Sequence, residues 1–371
     1  MKKKTETRRV TIIGTGLIGS SLGLALKAGG PQDLEIVGHD LERGMANQAR
    51  RLGAIDKAEH NLRRAVQGAR MVVIATPVLA VRDVMAQIST DLAEGTVVTD
   101  TASTKAHVMR WAEELLPEHV AFVGGHPMAG KEMSGAEHAE ATLFKGSAYA
   151  ICPAVSATEE AVQSVVSLAE LAGAEPLFLD PDEHDQYAAA VSHLPLLIST
   201  SLFTLLRPSP SWEDMAVMAS SGFKDLTRLA SGDPRMSHDI CVTNREACIH
   251  WLERMVGELN RLRDLLADAG DETLLEVFAG AQLDRDEFLT QPARRRPRGV
   301  ALPDVRRELI DAMVGGYISR RAKMAVGLPE EKRGGKRRKA PEDGLEMPSI
   351  GERIVKDVRR DLEKRSNNDK E

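Results

Sequence analysis

The sequence has only three cysteines, Cys152, Cys241 and Cys248, in 371 residues. So small and odd a number excludes a disulfide-stapled secreted scaffold and points to a reducing, cytoplasmic compartment. A long apolar run near the start is also missing. Met1 to Thr5 carry positive charge, but the first apolar stretch, Val10 to Ile13, is broken at Gly14 and Gly16. Neither a signal-peptide core nor a membrane span is expected there, and no membrane partner. Nor is there a large excess of one charge: 49 Lys and Arg face 55 Asp and Glu, while 42% of residues are hydrophobic. Disordered, collagen-like and coiled-coil classes are excluded, and the length suits two domains with a surplus.

The net charge of −6 is an average over two unlike pieces. From Gln291 to Glu371 there are 22 Lys and Arg against 14 Asp and Glu, a net of +8; residues 1 to 290 hold 27 and 41, a net of −14. Two basic runs, Gln291 to Arg298 and Lys332 to Lys339, read as solvated linker. Asp304 to Met324 and Ile350 to Lys364 have helical apolar spacing, so 291–371 is expected to be a basic extension of low order with two short helices. Its acidic residues are interleaved with the basic ones and aromatics are nearly absent, so nucleic acid is not an expected partner.

Within the acidic part, short apolar runs alternate with helical stretches: Val10 to Ile13, Ile36 to Gly38, Met71 to Ala75, Val97 to Thr99, Val120 to Val123 and Ala148 to Ile151. A parallel sheet covered on both faces requires this pattern, so 8–180 is expected to be an α/β, doubly wound Rossmann domain. After Pro181 the pattern becomes helical, with segments His184 to Leu206, Asp214 to Ala230 and Asp239 to Ala267. An all-helical substrate and dimerisation domain is expected over 181–290. The last segment repeats apolar residues at Ile249, Leu252, Val256, Leu259, Leu262 and Leu266, a stripe suited equally to an internal core or to a second subunit.

The first strand runs into Gly14-Thr15-Gly16-Leu17-Ile18-Gly19 and then an apolar helix. In that context Gly14 makes the tight turn, Gly16 admits a pyrophosphate, and Gly19 lets helix and strand pack closely; Leu17 and Ile18 open the helix whose N-terminus faces the phosphates. Asp40, ending the second strand, suits a ribose 2′-hydroxyl and repels a 2′-phosphate, so NAD is favoured over NADP although Arg43 is nearby. Asp40 could also cap the following helix. Thr76 and Pro77, at the end of the Met71 strand, are expected to contact the nicotinamide side. No metal is expected.

His126 follows the Val120 strand in a loop at the same sheet edge, where a histidine with an ordinary pKa of about 6.5 suits proton removal from an alcohol. Five blocks, Gly14 to Ser21, Asp100 to Lys105, Gly125-His126-Pro127-Met128-Ala129-Gly130-Lys131-Glu132-Met133-Ser134-Gly135, Ser192-His193-Leu194-Pro195 and Gly222 to Ala230, together resemble the prephenate/arogenate dehydrogenase family, in matching order over about residues 9 to 285. The resemblance implies an NAD-linked oxidative decarboxylation of a cyclohexadienyl acid to a 4-hydroxyphenyl product, on the way to tyrosine, by a homodimer. It implies that His126 takes the proton of the C4 hydroxyl, that Ser103 shares that contact, and that Arg228 grips the ring carboxylate. His184 and His193 would line the pocket; Glu132, Asp185 and Lys224 would surround its entrance.

The sequence departs from the family at Leu196, where many relatives carry a histidine, and at Ser237, where they carry a tryptophan. Both positions border the substrate side chain, so prephenate is favoured while arogenate stays open. Neither a chorismate mutase nor an ACT pattern is found in the extension. A β-hydroxyacid dehydrogenase of the 6-phosphogluconate type would need a lysine between His184 and Leu206, which contains none. A non-catalytic NAD-binding regulator would not need Ser103, His126 and Arg228, which are all present.

Overall fold

A computed structural model describes residues 8–268 and 271–290; the basic extension, with both segments of helical spacing in it, lies outside the described residues. The chain divides into two compact units at Glu258 and Leu259, and everything that follows about the site lies in the first.

Eight strands form one sheet: β1 (Arg8–Ile13), β2 (Leu34–His39), β3 (Lys57–Ala58), β4 (Met71–Ile74), β5 (Val97–Asp100), β6 (Ala121–Pro127), β7 (Ala148–Pro153) and β8 (Glu175–Phe178). Their order is β3-β2-β1-β4-β5-β6-β7-β8, and all neighbours run parallel except β6 and β7. The six expected strands are present. β3 is two residues long without an apolar run, and the edge strand β8 carries Glu175 and Pro176, so neither stood out by hydrophobicity.

Seven helices accompany the sheet or leave it: α1 (Leu17–Gly29), α2 (Arg43–Arg51), α3 (Leu62–Val66), α4 (Val78–Ile88), α5 (Ala106–Leu115), α6 (Glu159–Leu171) and α7 (Pro181–Ala188). Alternate strand residues feed two apolar layers. Ile12, Ile36 and Val73 pack with Leu22, Leu26 and Val165 on one face; Ile13, Val72, Ile74 and Val98 pack with Val81, Met85 and Val108 on the other. Burial on both faces is why the central strands read as unbroken apolar runs.

The order reverses between β1 and β4, whose carboxyl ends are the usual ligand crevice of such a sheet. There Gly14 adopts φ +90, and a side chain on it would strike the Ala75 carbonyl. A Cβ on Gly19 would sit 2.0 Å from the Gly14 carbonyl oxygen, so the turn and α1 can close only with glycine at both places.

Beyond α7, a π-helical turn (Ala189–His193) leads into α8 (Leu194–Leu206), α9 (Trp212–Met218), α10 (Ser221–Thr227), a 3-10 turn (Arg228–Ser231), α11 (Pro234–Thr243), α12 (Arg245–Asp268) and α13 (Asp271–Thr290). No strand follows Phe178 among the described residues. The expected helix over Asp214 to Ala230 is broken at Ala219 and Ser220, and that over Asp239 to Ala267 is broken at Asn244, whose side chain is drawn inward. The π turn precedes Pro195, which cannot donate to the preceding turn.

By length and hydropathy Pro181–Leu206 would span a bilayer. Its inner side nevertheless carries His184, Asp185, His193 and Ser199, all buried and hydrogen-bonded within the protein. Apolar residues remain exposed on this half of the chain, including Val217 at 88%, Met218 at 84% and Val256 at 56%.

Candidate active site

The Gly14 loop offers what a dinucleotide needs. Gly16 precedes the first helical residue of α1, and a Cβ there would meet nothing within 4 Å. No side chain caps this helix and no acidic residue lies in its first turn, so its leading N–H groups stay available to an anion. Leu17 is buried and Ile18 half-buried. Asp40 does not cap α2, whose N-cap is Glu42. Its carboxylate instead accepts from the Thr15 N–H at 2.7 Å, the Thr15 hydroxyl at 3.1 Å and the Glu42 N–H at 3.0 Å, tying the end of β2 to the glycine loop while leaving acceptor capacity. Thr76 Oγ1 is buried without a partner, and Pro77 starts α4. A cavity of about 520 Å³ opens beside Pro77, lined also by Leu79, Asp83, Pro234, Arg235 and His238.

His126 lies inside β6, not in the loop after it, and pairs with Ala150 of β7. The strand runs on because β7 returns antiparallel and continues the ladder through Pro127. The approach to His126 is held by a buried ion pair: Lys105 Nζ binds Asp100 Oδ2, and both side chains are fully buried. Asp100 also accepts from Ala102 N at 2.9 Å and from Gly125 N at 3.1 Å, so the charge buried at the end of β5 is satisfied and the backbone before His126 is pinned. Gly125 must be small, because a Cβ would lie 2.6 Å from the Asp100 carbonyl oxygen and 2.9 Å from the Tyr149 ring.

Three histidines converge behind this strand. His126 Nδ1 is 2.9 Å from His184 Nε2, and His184 Nδ1 is 2.8 Å from Asp185 Oδ1. Asp185 also accepts from the backbone N–H groups of Lys105 at 2.6 Å and Ala106 at 2.9 Å, the uncapped start of α5. The expectation of Asp185 at the entrance with Glu132 and Lys224 is therefore corrected. It is buried, because α5 and His184 both require its carboxylate. Asn244 Nδ2 reaches the Asp185 carbonyl at 2.7 Å and His193 Nδ1 at 3.2 Å. Since the amide group donates, His193 Nδ1 accepts and its hydrogen sits on Nε2, which is buried with no acceptor in the protein.

Burial, then the neighbouring charges of His184, Lys105 and His193, holds His126 well below its ordinary pKa. His193 is pushed down to about 4, first by burial, against the raising effect of Asp185. Burial is the main reason that these two rings are held neutral.

On the exposed side, Arg228, at the end of α10, forms an ion pair with Glu132 from the loop after β6. Arg228 and Glu132 are brought together, while Lys224 is exposed on α10 and Ser103 is half-buried after β5. Asp100, Lys105 and Asn244 were missed as site residues. The signal was an acidic residue closing the apolar run Val97 to Thr99, with a lysine five positions on.

A mostly parallel sheet with a glycine loop at its switch point, and a buried histidine held below its ordinary pKa at the same carboxyl edge, define a nicotinamide-dependent dehydrogenase. The chain belongs to the prephenate dehydrogenase family: residues 22–177 match the family's nucleotide-binding domain and residues 180–280 its dimerization domain. It is 31% identical to a prephenate dehydrogenase of Bacillus subtilis over 279 residues, 75% of each chain. Among solved structures, the prephenate dehydrogenase of Aquifex aeolicus in complex with hydroxyphenyl propionate and NAD+ is 29% identical, with a TM-score of 0.71 over 77% of this chain and 99% of that one. A Synechocystis arogenate dehydrogenase is 26% identical, with a TM-score of 0.64 over 76% and 99%.

His126 and His193 are neutral in the fold but free to charge in the unfolded chain. As pH falls from about 6.5 toward 4 the unfolded chain binds more protons, so stability is full above that window and declines within it, by up to about 1.4 kcal/mol per pH unit for each ring. Urea unfolding is expected to show a lower midpoint at pH 5.0 than at pH 7.5, and His193→Gln to narrow the difference. Equal midpoints would contradict neutral burial.

Proposed function

We propose that this protein is a prephenate dehydrogenase, converting prephenate and NAD to 4-hydroxyphenylpyruvate, CO2 and NADH in the cytoplasmic synthesis of tyrosine. The observation that carries this reading is the buried His126–His184–Asp185 array at the sheet edge that also bears the glycine loop, in a chain of this family. Gly14, Gly16, Leu17, Ile18 and Gly19 hold the pyrophosphate side of the cofactor, Asp40 a ribose hydroxyl, and Thr76 and Pro77 the nicotinamide side. We take 8–180 as the cofactor domain and 181–290 as the substrate and dimerisation domain, a division near residue 180 that the family matches over 22–177 and 180–280 support. A cytoplasmic site fits three free cysteines.

In this mechanism Arg228 binds the ring carboxylate, which takes the place of Glu132 on the guanidinium. His126 Nε2 accepts the C4 hydroxyl proton, with Ser103 orienting the same oxygen. The bound cofactor supplies the hydride acceptor. The C4 carbonyl then draws the electrons of the breaking carboxylate bond, CO2 leaves, the ring becomes aromatic, and the phenolate recovers its proton from His126. Neutral His193 donates its unused Nε2–H to a ligand oxygen, and Lys224 adds positive charge near Arg228.

Arogenate, which would give tyrosine directly, is the second reading, favoured by the likeness to the Synechocystis enzyme and left open by Leu196 and Ser237. Cofactor reduction should be measured with prephenate and arogenate, each with NAD and NADP. Prephenate with NAD should be fastest, His126→Asn should lower kcat about 10²-fold or more, and Arg228→Ala should act mainly on KM. No turnover with either acid would reject the enzyme reading; unchanged kcat in His126→Asn would remove that residue from the mechanism.

The same reading makes the protein a homodimer through its helical half, whose exposed Val217, Met218 and Val256 need a cover. Light scattering on the eluted protein should give twice the chain mass; a monomer would reject it.

A further inference from the structure

We propose that Asp185 and His184 are positioning residues for this reaction, holding the His126 ring in the tautomer that leaves Nε2 bare to receive the substrate's proton. The inference rests on the reading of His126 as the proton acceptor and adds what makes it one.

The assignment follows from which atoms can only donate. Asp185 Oδ1 faces the Lys105 N–H at 2.6 Å and Oδ2 faces the Ala106 N–H at 2.9 Å. Backbone N–H groups donate and never accept, so both oxygens act as acceptors. The hydrogen in the 2.8 Å contact between Asp185 Oδ1 and His184 Nδ1 therefore belongs to the histidine. A neutral His184 with its hydrogen on Nδ1 has a lone pair on Nε2. That atom is 2.9 Å from His126 Nδ1, so the hydrogen there belongs to His126. A neutral His126 has one ring hydrogen, and it is now spent. Nε2 is left as a lone pair, and among the described residues it has no protein partner.

The chain is anchored at its far end by secondary structure. α5 has no side-chain cap of its own because the side chain at its N-cap, Lys105, ends in an ammonium, which donates but cannot accept. Asp185 supplies the cap from α7, a favourable place for a carboxylate, and Asn244 holds the Asp185 carbonyl. The opposite arrangement, a doubly protonated His184, would donate to His126 Nδ1 and force the His126 hydrogen onto Nε2, where it would block proton uptake.

During turnover the substrate O–H bond breaks and an N–H bond forms at His126 Nε2. The positive ring then donates its Nδ1–H to His184, which Asp185 polarises, so the charge is spread along the array without a second proton acceptor. The proton on Nε2 returns to the phenolate oxygen, and the array ends as it began.

Two measurements test this on the full chain. Two-bond 15N–1H correlation at pH 7.5, with His126 signals assigned by their loss in His126→Asn, should show Nδ1–H for both His126 and His184; an Nε2–H tautomer at His126 would overturn the proposal whether or not the protein turns over prephenate. With prephenate and NAD, His184→Leu should lower kcat about 10²-fold with KM changed less than about 3-fold, while His184→Gln, whose amide oxygen can still accept from His126 Nδ1, should stay within about 10-fold of the parent. Equal loss in Leu and Gln, or no loss in Leu, would refute positioning by this hydrogen bond. A parent inert toward prephenate would instead overturn the substrate reading, leaving the tautomer to the spectrum.

Discussion

The Asp185 carboxylate is the interaction on which the rest of the site depends. It is buried, so it would cost several kcal/mol unless fully hydrogen-bonded, and it is satisfied by the N–H groups of Lys105 and Ala106 at the start of α5 and by His184. Through those bonds α7 is fixed to the loop after β5, and His184 is set against His126. Asn244 completes the seat by reaching both the Asp185 carbonyl and His193, which is why the helix expected from Asp239 to Ala267 is interrupted there. A second carboxylate does similar work nearby: Asp239 of α11 accepts from Leu79 N at the start of α4, at 3.2 Å. Helices α7 and α11 thus rest on two helix N-termini of the Rossmann fold, where the peptide dipoles favour negative charge.

Two kinds of ion pair serve two purposes. Lys105 and Asp100 are sealed from solvent, so exchanging either partner would strand a buried charge. They give Gly125 and His126 a fixed backdrop. Arg228 and Glu132 are 56% and 34% exposed, and such a pair contributes only about 0–1 kcal/mol. A carboxylate arriving from solution can replace Glu132 at little cost. The inner charges hold the geometry while the outer pair remains exchangeable, which suits the proposed binding and release of a carboxylated substrate at Arg228.

Much of the fold was legible because the central strands are apolar on both faces and the glycine loop sits between a strand and a helix. What escaped notice lacked an apolar signature. β3 and β8 are short or edge-like, and α13 follows α12 after only two residues. In the site, His126, His184 and His193 could be named from the sequence, but Asp185 was placed with the entrance charges because sequence spacing does not reveal which carboxylate caps a helix 79 residues away. Lys105 and Asn244 escaped for the same reason, since their partners come from other elements. Arg228 and Glu132 could be chosen from their blocks, yet nothing local says that they meet.

In the proposed mechanism, burial, with His184, Lys105 and His193 close by, keeps His126 an uncharged base at and below neutral pH. The most direct measurement is the acid limb of kcat/KM for prephenate with saturating NAD, which reports the ionisation of the essential base before substrate binds. The limb should fall well below pH 6.5, since His126 is held well under its ordinary value and stays active until acid charges it. A limb at or above pH 6.5, abolished in no variant but His126→Asn, would mean that the ring titrates freely and that the buried array does not set its charge.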